Sequence, residues 1–188
     1  MMWNIFKRRT RPNKNKQRGS VLAEAAIIMP FLLTIIIGAV ETGRYVNIHQ
    51  KLDRAAVTLS DLVARSTTLT EAQIQDIFFA TAAIMSPYQM ATSGRAYISS
   101  VTKSPGQAPR VTWQRTGGGS LAASSHIGTS GGNATLPSGF TLQDNESVII
   151  AEVMYTYNPI FVSDDFLPTQ FYERALFRPR TVSNVTIN

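Results

Sequence analysis

The chain contains no cysteine and only two histidines among 188 residues. Without cysteine there is no thiol nucleophile and no typical zinc set. Any domain outside the cytoplasm must then be held by its core and not by disulfides. His49 stands in a helical pattern and His126 in a polar loop, and no nucleophile-elbow sequence accompanies either. The glycines between Gly117 and Gly139 are not followed by Gly-Lys-Ser/Thr, which excludes a phosphate loop. On this inventory no catalytic residue, metal site or cofactor is expected.

Acids are missing from the first 23 residues, whereas Lys7, Arg8, Arg9, Arg11, Lys14, Lys16 and Arg18 lie there. The formal charge of +6 belongs to this block, because residues 20–188 carry 11 bases against 12 acids. A basic face spread over a domain would have indicated nucleic acid. A basic block beside an apolar run indicates membrane topology instead, with the bases kept on the cytoplasmic side.

From Val21 to Val40 the chain is apolar apart from Glu24 and Thr34. Twenty helical residues at about 1.5 Å each cross a hydrocarbon core of roughly 30 Å. A cleaved secretory signal has a shorter apolar region and a small-residue cut site, and Val40-Glu41-Thr42-Gly43-Arg44 offers none. The expected division is a basic cytoplasmic leader over 1–19, a transmembrane helix over 20–43 and an extracytoplasmic domain over 44–188.

Beyond the span, Tyr45, Ile48, Leu52, Ala55 or Ala56, Leu59 and Leu62 recur at alternating steps of three and four, one face of a continuing helix. That face packs either on its own globular domain or against other subunits. The pattern predicts one helix from Val21 to Ala64. Within it Pro30 removes a backbone donor, and Gly38, Ala39, Thr42 and Gly43 form overlapping pairs of small residues that let a second helix approach closely. Glu24 is costly in lipid, at up to about 2.5 to 3.5 kcal/mol for an acid at a helix centre, and such acids mark a partner or a path.

Thr70-Glu71-Ala72-Gln73 reads as a capping box that opens a second helix to about Met85, ended by Ser86-Pro87. Ala96 to Val101 and Arg110 to Arg115 read as a hairpin around Lys103-Ser104-Pro105-Gly106, with further strands at Ser147 to Tyr157 and Phe171 to Phe177. Residues 116–140, rich in Gly, Ser, Thr and Asn, are expected to be a mobile surface loop too polar to pack by itself. The fold class is α+β: a long N-terminal helix, a second helix and a small antiparallel sheet.

The spacing at the join is specific. Arg18-Gly19-Ser20, Glu24 five residues after Gly19, Pro30 six residues later, then Gly38, Glu41, Gly43 and Arg44, resemble the TadE-like pseudopilins of the tight-adherence (Tad) pilus system. Val153 to Pro159 and Arg178-Pro179-Arg180 are similar to that family's last strands. The resemblance implies a pilin-like fold and a cut between Gly19 and Ser20 by a prepilin peptidase, which makes Glu24 the fifth mature residue. It further implies a bacterial inner-membrane setting with the N-terminus cytoplasmic, and other pilus subunits or pseudopilins as partners. In such assemblies the fifth-position carboxylate pairs with a neighbour's N-terminal amine. The expected role is a minor pseudopilin that helps assemble an adhesive pilus; the alternative is an uncleaved single-pass anchor presenting a binding domain to the same machinery.

Overall fold

A computed structural model describes residues 14–161 and 169–188. Most of the basic leader, up to Asn13, lies outside the described residues. The chain falls into two units, Met1–Thr42 and Gly43–Asn188. Helix α1 (Lys14–Ala64) is continuous through Pro30 and starts earlier than the apolar pattern predicts. Lys, Gln and Arg are good helix formers, so the helix extends backward without an apolar face to drive it.

In the second unit, the face predicted to pack is buried on the domain's own core as far as Leu59, but Leu62 is exposed and Val63 takes its place, because the helix turns the next residue inward at its last turn. Ile48, Leu52, Ala55, Ala56, Leu59, Val63 and Ala64 have no exposed surface. They meet α2 (Glu71–Met85) and one side of a four-stranded antiparallel sheet, in the order β3-β2-β4-β5. The strands are β2 (Gly94–Thr102), β3 (Arg110–Gly117), β4 (Ser147–Thr156) and β5 (Gln170–Phe177). Along β4 the pleat sends Ile149, Ala151, Val153 and Tyr155 toward the helices, and Val148 and Ile150 to the opposite face. Ser60 Oγ donates to the carbonyl of Ile149 at 3.0 Å, pinning α1 to the central strands.

The capping box forms as the sequence indicates. Gln73 N–H donates to Thr70 Oγ1 at 3.3 Å, and Thr70 N–H donates to Gln73 Oε1 at 2.9 Å. Glu71 in the first turn pairs with Arg115 of β3, and those hydrogen bonds hold its carboxyl below the usual range. At the other end Lys51 Nζ donates to the carbonyl of Ile84 at 3.0 Å, occupying one of the last-turn acceptors.

A bulge in β3 decides how the sheet is filled. Ser100 pairs with Trp113 and Val101 with Val111, leaving Thr112 as the extra residue. Val111 and Trp113 therefore point to opposite faces, although an unbroken strand would put both on one. Trp113 Nε1 reaches the carbonyl of Val185 at 2.7 Å on the helix side.

Three short elements have no counterpart in the sequence reading. They are α3 (Met90–Ser93) and the two-residue strands β1 (Thr68–Leu69) and β6 (Thr186–Ile187), which pair in parallel. The segment leading to β6 is held by contacts across the domain. Arg180 N–H donates to the carbonyl of Ala64 at 3.0 Å, Ser100 Oγ to Asn184 Oδ1 at 2.9 Å, and Val185 is wholly buried.

Residues 116–140 differ from the expectation of a segment unable to pack. Ile127 is fully buried and joins Val101, Val111, Leu142, Val148 and Ile150 in a second core on the far face of the sheet, with Leu136 and Phe140 at its edge. Sparse apolar side chains suffice because the sheet supplies the rest of the surface, and the backbone finds partners of its own. Val111 N–H donates to Gly132 O at 3.0 Å, and Gly131 N–H to Val111 O at 2.7 Å. Replacing Leu52 by Ala should lower unfolding free energy by about 2 to 5 kcal/mol, whereas Phe79→Ala, at an exposed position of α2, should change it by less than about 0.5 kcal/mol. Denaturant unfolding of the detergent-solubilised chain checks both.

Candidate assembly and anchoring site

Among the described residues one helix is long and apolar enough to cross a membrane, the part of α1 that begins at Gly19. Its side chains are exposed within the chain, Leu22 and Ile35 at 70 % and Phe31 at 69 %. So long an apolar surface requires a cover that is not water. The eleven Leu, Ile, Phe and Val residues between Val21 and Val40 favour insertion by about 3 to 7 kcal/mol on translocon scales. Glu24, near one end, costs less than the central value of about 2.5 to 3.5 kcal/mol, so insertion wins.

Three hydroxyls of this segment find acceptors one turn away. Ser20 Oγ donates to Glu24 Oε1 at 3.3 Å, one turn along the same face. Thr34 Oγ1 donates to the carbonyl of Pro30 at 2.9 Å, and Thr42 Oγ1 to that of Gly38 at 2.8 Å. These hydroxyls enter lipid with their donors used. Pro30 has no N–H to offer the carbonyl of Ala26 four residues back.

At roughly 100° per residue, Ser20, Glu24, Phe31, Ile35, Gly38 and Thr42 fall on one stripe. Ala39 borders it. Pro30 and Gly19 share another side of the helix and Gly43 lies on a third, so the helix does not bring these three onto the stripe. A Cβ built on Gly19, Gly38 or Gly43 meets nothing within 4 Å, so the chain's own packing does not require glycine at any of them.

The two histidines are placed apart. His49 Nδ1 lies 2.7 Å from Glu173 Oε1, and its ring meets Phe171 edge-on. His126 stacks on Tyr172 with centroids 4.3 Å apart. Among the described residues no group of three His, Cys, Asp or Glu side chains could hold a metal ion.

A polar cluster around Glu152 went unnoticed in the sequence, although an acid within the apolar run Val148 to Tyr155 was the signal for it. Glu152 is completely buried on β4. Its carboxylate accepts from Ser125 Oγ, from the backbone N–H of His126 at 2.8 Å and from Tyr172 Oη at 2.9 Å. Serine, histidine and glutamate meet here without forming a catalytic relay, because Ser125 binds the carboxylate directly and the imidazole stacks on Tyr172. Charge-assisted hydrogen bonds of about 1.5 to 3 kcal/mol each offset a burial cost of several kcal/mol. The cluster therefore works as a latch between loop and sheet. Burial first, and then the charge of Glu152, push the Tyr172 hydroxyl well above its usual pKa.

A helix with an apolar, lipid-compatible first part and a second part built into an α+β domain fits a single-pass membrane anchor bearing a folded domain. Residues 19–58 match the model of a protein family described as TadE-like protein. That match bears out the resemblance read at the join, over the stretch that carries it. It takes in Gly19, Ser20, Glu24, Pro30, Gly38, Ala39, Thr42 and Gly43, and ends within α1. No curated protein and no solved structure matches the chain.

The latch gives stability a defined pH dependence. An unfolded tyrosine loses its proton near pH 10, while folded Tyr172 retains it beyond that. Above about pH 10 the unfolded state binds fewer protons, so stability falls as pH rises. Tyr172→Phe should reduce this alkaline loss, leaving the share due to Tyr88 and Tyr155, whose hydroxyls burial also raises. The variant should also cost about 1.5 to 3 kcal/mol at neutral pH; unfolding curves from pH 7 to 11 measure both effects.

Proposed function

We propose that this chain is a minor pseudopilin of a Tad-type pilus, cut between Gly19 and Ser20 by a prepilin peptidase and assembled through its N-terminal helix in the bacterial inner membrane. The observation that carries the reading is the match over residues 19–58, which begins at the glycine before the proposed cut. It acts by packing and not by chemistry of its own.

The geometry of α1 supports this role. After the cut, the new amine stands on Ser20, on the same face as Glu24 one turn away. In low dielectric an amine and a carboxylate each lower the other's cost far more than in water. A subunit out of register with its neighbour leaves one of them buried alone, which makes the pair a register device. Gly38 and Thr42 share the stripe of Glu24, and their small size lets another helix approach.

The second reading, an uncleaved anchor, differs at the mature N-terminus. Intact-mass measurement of the membrane-extracted protein should give a chain beginning at Ser20; Met1 in cells with active peptidase would overturn cleavage. For Glu24→Ala, cleavage should persist while recovery of the subunit in sheared pili drops several-fold. Normal incorporation of that variant would remove the register role.

A further inference from the structure

Helix α1 and strand β4 run side by side in opposite directions. Ser60 Oγ meets the carbonyl of Ile149 at 3.0 Å, and Arg44 Nε meets Tyr157 Oη at 3.3 Å. From Ser60 back to Arg44 is about 24 Å of helix at 1.5 Å per residue, and from Ile149 on to Tyr157 about 26 Å of strand at 3.3 Å. The equal lengths put both ends level. Arg44 directly follows the segment 20–43, so β4 runs toward the end of the domain at which the apolar helix leaves it.

The chain does not turn back at that level. Tyr157 N–H donates to the carbonyl of Thr169 at 2.7 Å, the last backbone bond between the two strands among the described residues, and Asn158, Pro159, Ile160 and Phe161 follow it. Ile160 and Phe161 are each 57 % exposed, whereas Tyr157 and Phe171 beside them are buried. The rim behind them is aromatic and basic: the Arg44 guanidinium lies 5.7 Å from the Tyr157 ring centre, and Tyr45 packs on Phe171 at 4.8 Å.

We propose that Ile160 and Phe161 insert into the boundary between headgroups and acyl chains of the bilayer, giving the outer domain a membrane contact separate from its helix. The inference rests on the reading of residues 20–43 as a transmembrane span. Four residues past Tyr157 span at most about 13 Å, about twice the roughly 5 to 7 Å of headgroup region on one side of a bilayer, so the pair can reach it even with the bend at Ile160 and Phe161. Tyr45 and Arg44, both half-buried at this level, are of the types that settle at this boundary, with an apolar body and a polar tip. Continuity with the span favours lipid over a protein partner as the cover for this pair. Such a foot would limit rotation and tilt of the domain about its helix.

The absence of native cysteine makes single labels unique. Phe161→Cys, Phe79→Cys and Ile35→Cys in the full chain, each carrying an environment-sensitive dye, are reconstituted into phosphatidylcholine nanodiscs at one copy per disc. Quenching is then read with aqueous iodide and with spin-labelled lipid. The label at 161 should show several-fold less iodide quenching than the label at exposed position 79, and strong quenching by lipid labelled near the headgroup. Iodide access at 161 equal to that at 79 would overturn the proposal. So would protection from iodide without lipid quenching, which would assign the cover to protein. The label at 35 separates the two readings: if lipid quenches it while 161 stays in water, only the foot fails, and if lipid quenches neither, the anchor fails and the foot with it.

Discussion

The α+β domain depends on the burial of one face of α1, from Ile48 to Ala64, against the sheet. That face supplies seven side chains with no exposed surface, and they touch both α2 and the central strands. Removing the helix would expose the apolar side of β2 and β4 to water. Ser60 adds direction to this non-directional burial. Its hydroxyl can reach the carbonyl of Ile149 at only one axial setting of helix on strand.

The sequence made the helices legible because their signals are local. The capping box at Thr70 and Gln73, and the three-and-four spacing from Ile48 to Leu59, are properties of neighbouring residues. The strands were legible for the same reason to within a few residues. What was not legible depends on residues far apart: β1 and β6 are two residues each and exist only as a pair. The bulge at Thr112 is invisible until β2 fixes the register. Residues 116–140 read as unable to pack because composition counts what a segment contains, not the surface it meets.

The candidate site divides along the same line. The spacing Gly19, Glu24, Pro30 is a local pattern, and the family match begins at its first residue. Glu152 needed the fold: its three donors come from the far loop and from β5, and only their convergence explains a buried acid in the middle of an apolar strand. Two acids in apolar surroundings thus receive opposite readings. Glu152 is satisfied by its own chain through three donors, while Glu24 has the hydroxyl of Ser20.

The parallel pair of β1 and β6 also sets an order of events. Thr68 follows directly on α1, and its partner Thr186 is synthesised long after it. The Trp113 indole and the end of α1 at Ala64 likewise take their partners from this late segment. Chain emerging N-terminus first can place its apolar helix early, but the helix side of the core cannot close until Val185 has arrived. The apolar helix is therefore complete before the domain can fold, and the domain stays open to its surroundings until the last strand is delivered.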